Sequence, residues 1–187
     1  MIKNETIKKY GIYNIILLFF FLADSVFEIS LPIYLLSLGH SFGEIGVMVA
    51  TFSVGIVIFR FLVSMHSDKV GRKVYVVLSL VGSAGICFIL PFGNSIMYFM
   101  VILLARGACR GAFLAVRAPI IRDISTEHER GKMLGLVSAF STVGSALGGG
   151  VAGWLYYERH VWILFFIIGA LYLLAAFIAL FFYQRIK

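Results

Sequence analysis

Charge is scarce in this chain. Only 13% of its 187 residues are Asp, Glu, Lys or Arg, about half the roughly 25% usual in soluble domains. A water-facing surface of ordinary size cannot be built from so few. Cysteine is nearly absent: Cys87 and Cys109 stand at no redox or metal-ligand spacing, which excludes a disulfide scaffold and a zinc centre. Both read as small packing residues. The four histidines, His40, His66, His128 and His160, fall in loops or near the ends of apolar runs and form no ligand cluster. No nucleophile–base arrangement, phosphate loop or cofactor fingerprint occurs, so no enzyme activity, cofactor or metal site is expected. Acidic residues are the scarcer charge, 9 against 16 Lys and Arg, for a net charge of +7.

Apolar residues are what the chain has. They make up 61% of it and give a mean hydropathy of +0.99, the composition of a protein that folds in lipid. Apolar stretches run at about 12–36, 45–64, 74–91, 96–121, 133–156 and 161–183. Each is near or above the roughly 20 residues that cross about 30 Å of hydrocarbon as a helix. Transmembrane strands need strict alternation, which Ile15–Ala23 and Val161–Ala179 lack. Six transmembrane helices are expected, an all-α polytopic membrane protein.

Basic residues set the expected orientation, because short loops rich in them stay cytoplasmic. Lys3, Lys8 and Lys9 precede the first span; Lys69, Arg72 and Lys73 follow the second; Arg122, Arg130 and Lys132 follow the fourth; Arg185 and Lys187 end the chain. The alternate loops carry only Arg159. Both termini are therefore expected in the cytoplasm of a cell (plasma or inner) membrane, and the net charge needs no nucleic acid to explain it. Asp24 and Glu28 interrupt the first apolar run, so no cleavable signal peptide is expected.

Between the second and third spans lie Ser64-Met65-His66-Ser67-Asp68-Lys69-Val70-Gly71-Arg72-Lys73. This segment resembles the cytoplasmic signature loop of the major facilitator superfamily (MFS), Gly-x-x-x-Asp-(Arg/Lys)-x-Gly-Arg-(Arg/Lys), at every position except Ser64. In the fifth span Gly135, Gly144, Gly148 and Gly153 match in register the family's antiporter-associated motif, with Gly149 where its proline belongs and Ala152 for a glycine. Arg106 with Gly111 loosely resembles the Arg-x-x-x-Gly motif of the fourth helix. Asp123 to Lys132, with Glu129-Arg130-Gly131, is similar to the usual link between helices 4 and 5.

The resemblance implies twelve helices in two six-helix halves, so residues 1–187 would form a single domain like the N-terminal half, about half of a usual transporter. It also implies two inverted three-helix repeats, and Asp68-Lys69 to Val81 has a faint echo in Glu158-Arg159 to Leu171. Secondary active transport by alternating access is the implied function. The partial fifth-helix motif and the first-helix acids favour proton-coupled efflux, with a proton gradient as the energy source. An organic-anion transporter, using Arg106 and Arg110 as binding charges, is the runner-up. A half-size or truncated protein inactive without a second six-helix half, or a membrane scaffold, is the rival from another class. Expected partners are the bilayer, a small-molecule substrate and a second half from the same gene, a split gene or a homodimer; no nucleic acid is expected.

Six ionisable residues fall inside spans: Asp24, Glu28, Arg60, Arg106, Arg110 and Arg117. Such residues mark a pathway by default, although Arg60 is near enough to a span end to snorkel. Asp24 and Glu28 share one face of helix 1, and Arg106, Arg110 and Arg117 one face of helix 4. At 1.5 Å per residue Asp24 lies near the midplane within about 2 Å of the level of Arg110, and Glu28 lies about 6 Å outward beside Arg106. Pairs Asp24/Arg110 and Glu28/Arg106 are therefore expected. Pro32 and Pro119 each leave a carbonyl without its helix donor. Gly144 and Gly148 share a face, with Gly135, Gly149 and Gly153 roughly opposite, so a neighbour is expected on each side of helix 5. At the signature loop Gly71 should make the turn, and Arg72 with Lys73 should neutralise Asp68 and reach Asp123.

Overall fold

A computed structural model describes residues 2–125, 130–157 and 161–184. Six helices span them: α1 (Ile2–Ser37), α2 (Phe42–Val70), α3 (Arg72–Ile89), α4 (Ile96–Ile124), α5 (Arg130–Tyr157) and α6 (Val161–Gln184). All six are long and apolar enough to cross a membrane. In hydrocarbon the helix satisfies every backbone donor and acceptor internally, which is why runs with no period-2 pattern take this form. Glu127, His128, Glu129, Glu158, Arg159 and His160 lie outside the described residues.

Local sequence sets the breaks. Ser41 closes a capping box on α2: its hydroxyl accepts from Glu44 N at 3.3 Å, and Glu44 Oε2 accepts from Ser41 N at 2.8 Å. Ser95 accepts from Tyr98 N at 3.2 Å and opens α4. Gly71, at φ +98°, is the only residue between α2 and α3; a Cβ at that φ would be strained. α1 runs through Pro32 and α4 through Pro119 without a break in the helix.

The helices pack in the order α2, α4, α3, α6, α1, α5, each extensively against the next. Exchanging helices 1–3 with helices 4–6 reverses that order and so preserves every pair of neighbours: α1 on α5 matches α4 on α2, and α1 on α6 matches α4 on α3. This is the internal two-fold of two inverted three-helix repeats. Both crossings bring small residues against backbone: a Cβ on Gly111 of α4 would run into the Ile56 carbonyl of α2, and Ser25 Oγ of α1 donates to the Ser145 carbonyl of α5 at 2.8 Å.

Helices cross closely in lipid where small residues let backbones meet. On α4 the atom that would clash with a Cβ at Gly107 is the Phe52 carbonyl, and a Cβ at Gly55 would meet the Leu104 carbonyl. On α5 a Cβ at Gly148 would sit 2.5 Å from the Leu22 carbonyl and one at Gly144 2.8 Å from the Leu18 carbonyl. The two-sided packing expected of α5 is not found among the described residues. Gly135 and Gly153 face open space, and Gly149 has only an ordinary contact, 3.5 Å to Ile29 Cδ1. One turn of a helix can meet one neighbour on each face, but α5 stands at the end of the packing order and α1 is its one extensive neighbour.

Candidate functional site

α1 and α4 are both central, yet their backbones hardly touch. Side chains bridge the gap. The Phe20 and Phe113 rings stack at 3.7 Å with 12° between planes. Beside them Arg106, Asp24, Arg110 and Glu28 form a continuous series of ion pairs. Arg106 Nη2 donates to Asp24 Oδ1 at 2.8 Å, Arg110 Nε lies 3.0 Å from Asp24 Oδ2, and Arg110 Nη1 donates to Glu28 Oε1.

One expected pair is present, Asp24 with Arg110, and the other is corrected. Glu28 pairs with Arg110, and Arg106 pairs with Asp24; a Glu28/Arg106 pair is absent among the described residues. Depth alone had matched Glu28 with Arg106, but azimuth decides. Four residues advance a helix by 400°, so Glu28 is turned about 40° from Asp24, and Arg110 about 40° from Arg106. Because the helices run antiparallel, both rotations carry the side chains to the same side of the seam. Asp24 and Arg106 turn toward the bundle core; Glu28 and Arg110 turn toward its open side.

Burial grades along the series accordingly. The Arg106 and Asp24 side chains are 0% and 2% exposed, Arg110 is 17% exposed and Glu28 47%. An isolated buried ion would be prohibitively costly, so the inner pair persists through its partners. The Arg106 guanidinium lies between the Phe27 and Tyr172 rings, 4.9 Å from each centroid. It donates to the Tyr172 hydroxyl, which is 3.3 Å from Asp24 Oδ1. Its Nε and Nη1 are buried without a hydrogen-bond partner. Arg110 stands over Phe52 of α2 at 5.6 Å. Four helices thus meet at this site.

Tyr172 was not anticipated from sequence. The signal was available: between Ile163 and Phe181 it is the only side chain of α6 able to hydrogen-bond, and a lone hydroxyl in such a run must find a partner in the membrane. The aromatic rings offered no such signal, since chain-wide aromatic content is high.

Arg117 completes the α4 stripe. Its Nη2 donates to Ser141 Oγ of α5 at 3.0 Å, and its guanidinium stands over the Phe21 ring of α1 at 5.0 Å. Arg60 is exposed on α2, with its carbonyl accepting from Ser64 Oγ at 2.7 Å. At the signature loop Arg72 Nη1 reaches Asp123 Oδ2 at 2.5 Å and the Pro119 carbonyl at 3.2 Å, tying the start of α3 to the end of α4. The side chains of Asp68 and Lys69 lie outside the described residues. Lys73 is exposed. Cys87 is buried and Cys109 partly buried, both as free thiols.

The family model of the Major Facilitator Superfamily matches residues 14–187. The chain is 29% identical over 145 residues to the quinolone resistance protein NorA of Staphylococcus aureus (strain N315), a match covering 78% of this chain and 37% of that protein. It is 29% identical over 136 residues to multidrug resistance protein 1 of Bacillus subtilis (strain 168), covering 73% of this chain and 35% of that protein. The chain thus spans little more than a third of the relatives it matches.

Proposed function

The chain belongs to the major facilitator superfamily, a family of transporters rather than enzymes, and from that premise we propose that it forms the N-terminal six helices of a proton-coupled efflux transporter. It is an integral membrane protein; its termini are assigned to the cytoplasm of a cell membrane, from the Lys and Arg bias of the loops. A second six-helix half, from the same gene, a split gene or a second copy of the chain, completes the cavity. The names of its relatives, which refer to quinolone and multidrug resistance, favour export of small molecules.

The observation that carries the coupling is the graded series Arg106–Asp24–Arg110–Glu28. Glu28, the exposed member, exchanges a proton with water when the cavity is open. Its protonation weakens its hold on Arg110, which then has Asp24 as its remaining carboxylate. Since α1 and α4 are joined there by side chains rather than by backbone packing, this exchange changes the seam that alternating access must move. The organic-anion reading loses support at Arg106 and Arg110, because both are already committed to carboxylates.

The test is transport in sealed vesicles carrying the complete transporter, with proton movement and efflux of a fluorescent substrate recorded together. Glu28→Gln and Asp24→Asn should lower the protons moved per substrate. Unchanged stoichiometry in both would refute proton coupling here, and intact partner binding with no flux in any variant or in wild type would favour the scaffold.

A further inference from the structure

Arg106, Arg110 and Arg72 each contact a carboxylate. Arg117 does not: among the described residues its guanidinium meets the Ser141 hydroxyl and the Phe21 ring, and the Tyr13 hydroxyl lies nearby, donating to the Arg117 carbonyl at 3.4 Å. We propose that Arg117 is the docking point for a carboxylate on the transported molecule. The proposal rests on the transporter reading above and names a chemical class for its substrate.

Geometry leaves Arg117 poised for an anion. The Ser141 hydroxyl spends its own proton on the Val137 carbonyl at 2.6 Å, so toward Arg117 it can only accept. One N–H is engaged in that way and one flat face is covered by Phe21, which fixes the plane of the guanidinium. Of five N–H donors in a guanidinium, the rest are left for something else. Arg106 also has unused donors, but they are sealed: its Nε and Nη1 are buried, whereas no nitrogen of Arg117 is among the buried unpartnered atoms. The Arg117 donors therefore reach the surface where α1, α4 and α5 meet, on the same α4 face as Arg110.

A half-buried cation within a membrane span is costly when no counter-charge accompanies it. A planar carboxylate supplies that charge and fits the fork with two parallel hydrogen bonds, and the Phe21 ring extends an apolar surface for the rest of an aromatic molecule. A purely structural clip between α4 and α5 would need only the one hydrogen bond to Ser141, which a neutral side chain can make.

Binding of matched pairs decides the matter. Several aromatic carboxylic acids and their primary amides, pyrenebutyric acid and pyrenebutyramide among them, would be titrated by fluorescence against the complete transporter in lipid nanodiscs, with empty nanodiscs subtracted. Wild type should bind the acids about tenfold or more tighter than the amides, as a charge-assisted pair implies. Arg117→Gln should bring that ratio to about one while leaving the amides unchanged, and Arg117→Lys should restore part of it. Equal binding of acids and amides by wild type, or a preference that survives Arg117→Gln, would overturn the assignment and leave the transporter reading standing. Failure of every acid and amide to bind would also overturn the assignment, while flux in the vesicle assay above judges the transporter reading separately.

Discussion

The buried pair of Asp24 and Arg106 makes the sharpest energetic prediction. Both side chains are essentially sealed, at 2% and 0% exposure, so neither can turn to water when its partner is lost. Asp24→Leu leaves Arg106 with the Tyr172 hydroxyl and two ring faces but no counter-charge. Arg106→Leu leaves Asp24 with Arg110, at 3.0 Å, still beside it. The first change should therefore be the worse. Orphaning one member of a buried pair costs about 3–5 kcal/mol, and Asp24→Leu belongs at the upper end of that range. Removing both charges together lifts the penalty, so the double variant should be more stable than Asp24→Leu alone. Unfolding of the purified protein in mixed detergent micelles with rising dodecyl sulfate, followed by circular dichroism, gives the four free energies of the cycle. Coupling of about 2 kcal/mol or more is expected, against about 0.3–0.5 kcal/mol for independent sites. Additive effects within that smaller margin would mean that the pair does not govern stability, and the argument from its burial would fail.

Two further outcomes follow from packing and exposure. Gly148→Leu should disrupt the crossing of α5 on α1, because even a Cβ would stand 2.5 Å from the Leu22 carbonyl, whereas Gly135→Leu meets open space and should leave the isolated chain's stability within about 0.5 kcal/mol; equal loss in the same micelle assay would contradict the close crossing. Arg72→Gln should cost little stability, about 1 kcal/mol or less, since Asp123 is 58% exposed and the pair is open to solvent; a loss of several kcal/mol would show that the contact is shielded.

Much of the fold was legible in the sequence for reasons specific to lipid. A chain with so few charges has to satisfy its backbone internally, so span number and helical type follow from composition and length alone. The turn at Gly71 is a local signal, legible where it occurs, whereas the capping roles of Ser41 and Ser95 emerge only in the structure. The glycine face of α5 was legible as a close-packing surface, but which glycines meet a neighbour was not, because that depends on where α5 stands in the packing order.

The membrane charges divide in the same way. Their identity, their sharing of helix faces and the rough level of Asp24 with Arg110 come from spacing along two helices, which a sequence carries. Who pairs with whom was decided by rotation of α1 and α4 about their own axes. That rotation is set by contacts far apart in the chain: Phe20 on Phe113, Gly111 on Ile56, Ser25 on Ser145. It sends Asp24 and Arg106 inward to Tyr172, Glu28 and Arg110 to the open side, and Arg117 to Ser141. Depth in a membrane is a one-dimensional quantity that counting residues can supply; direction around a helix acquires meaning only when the neighbours are in place.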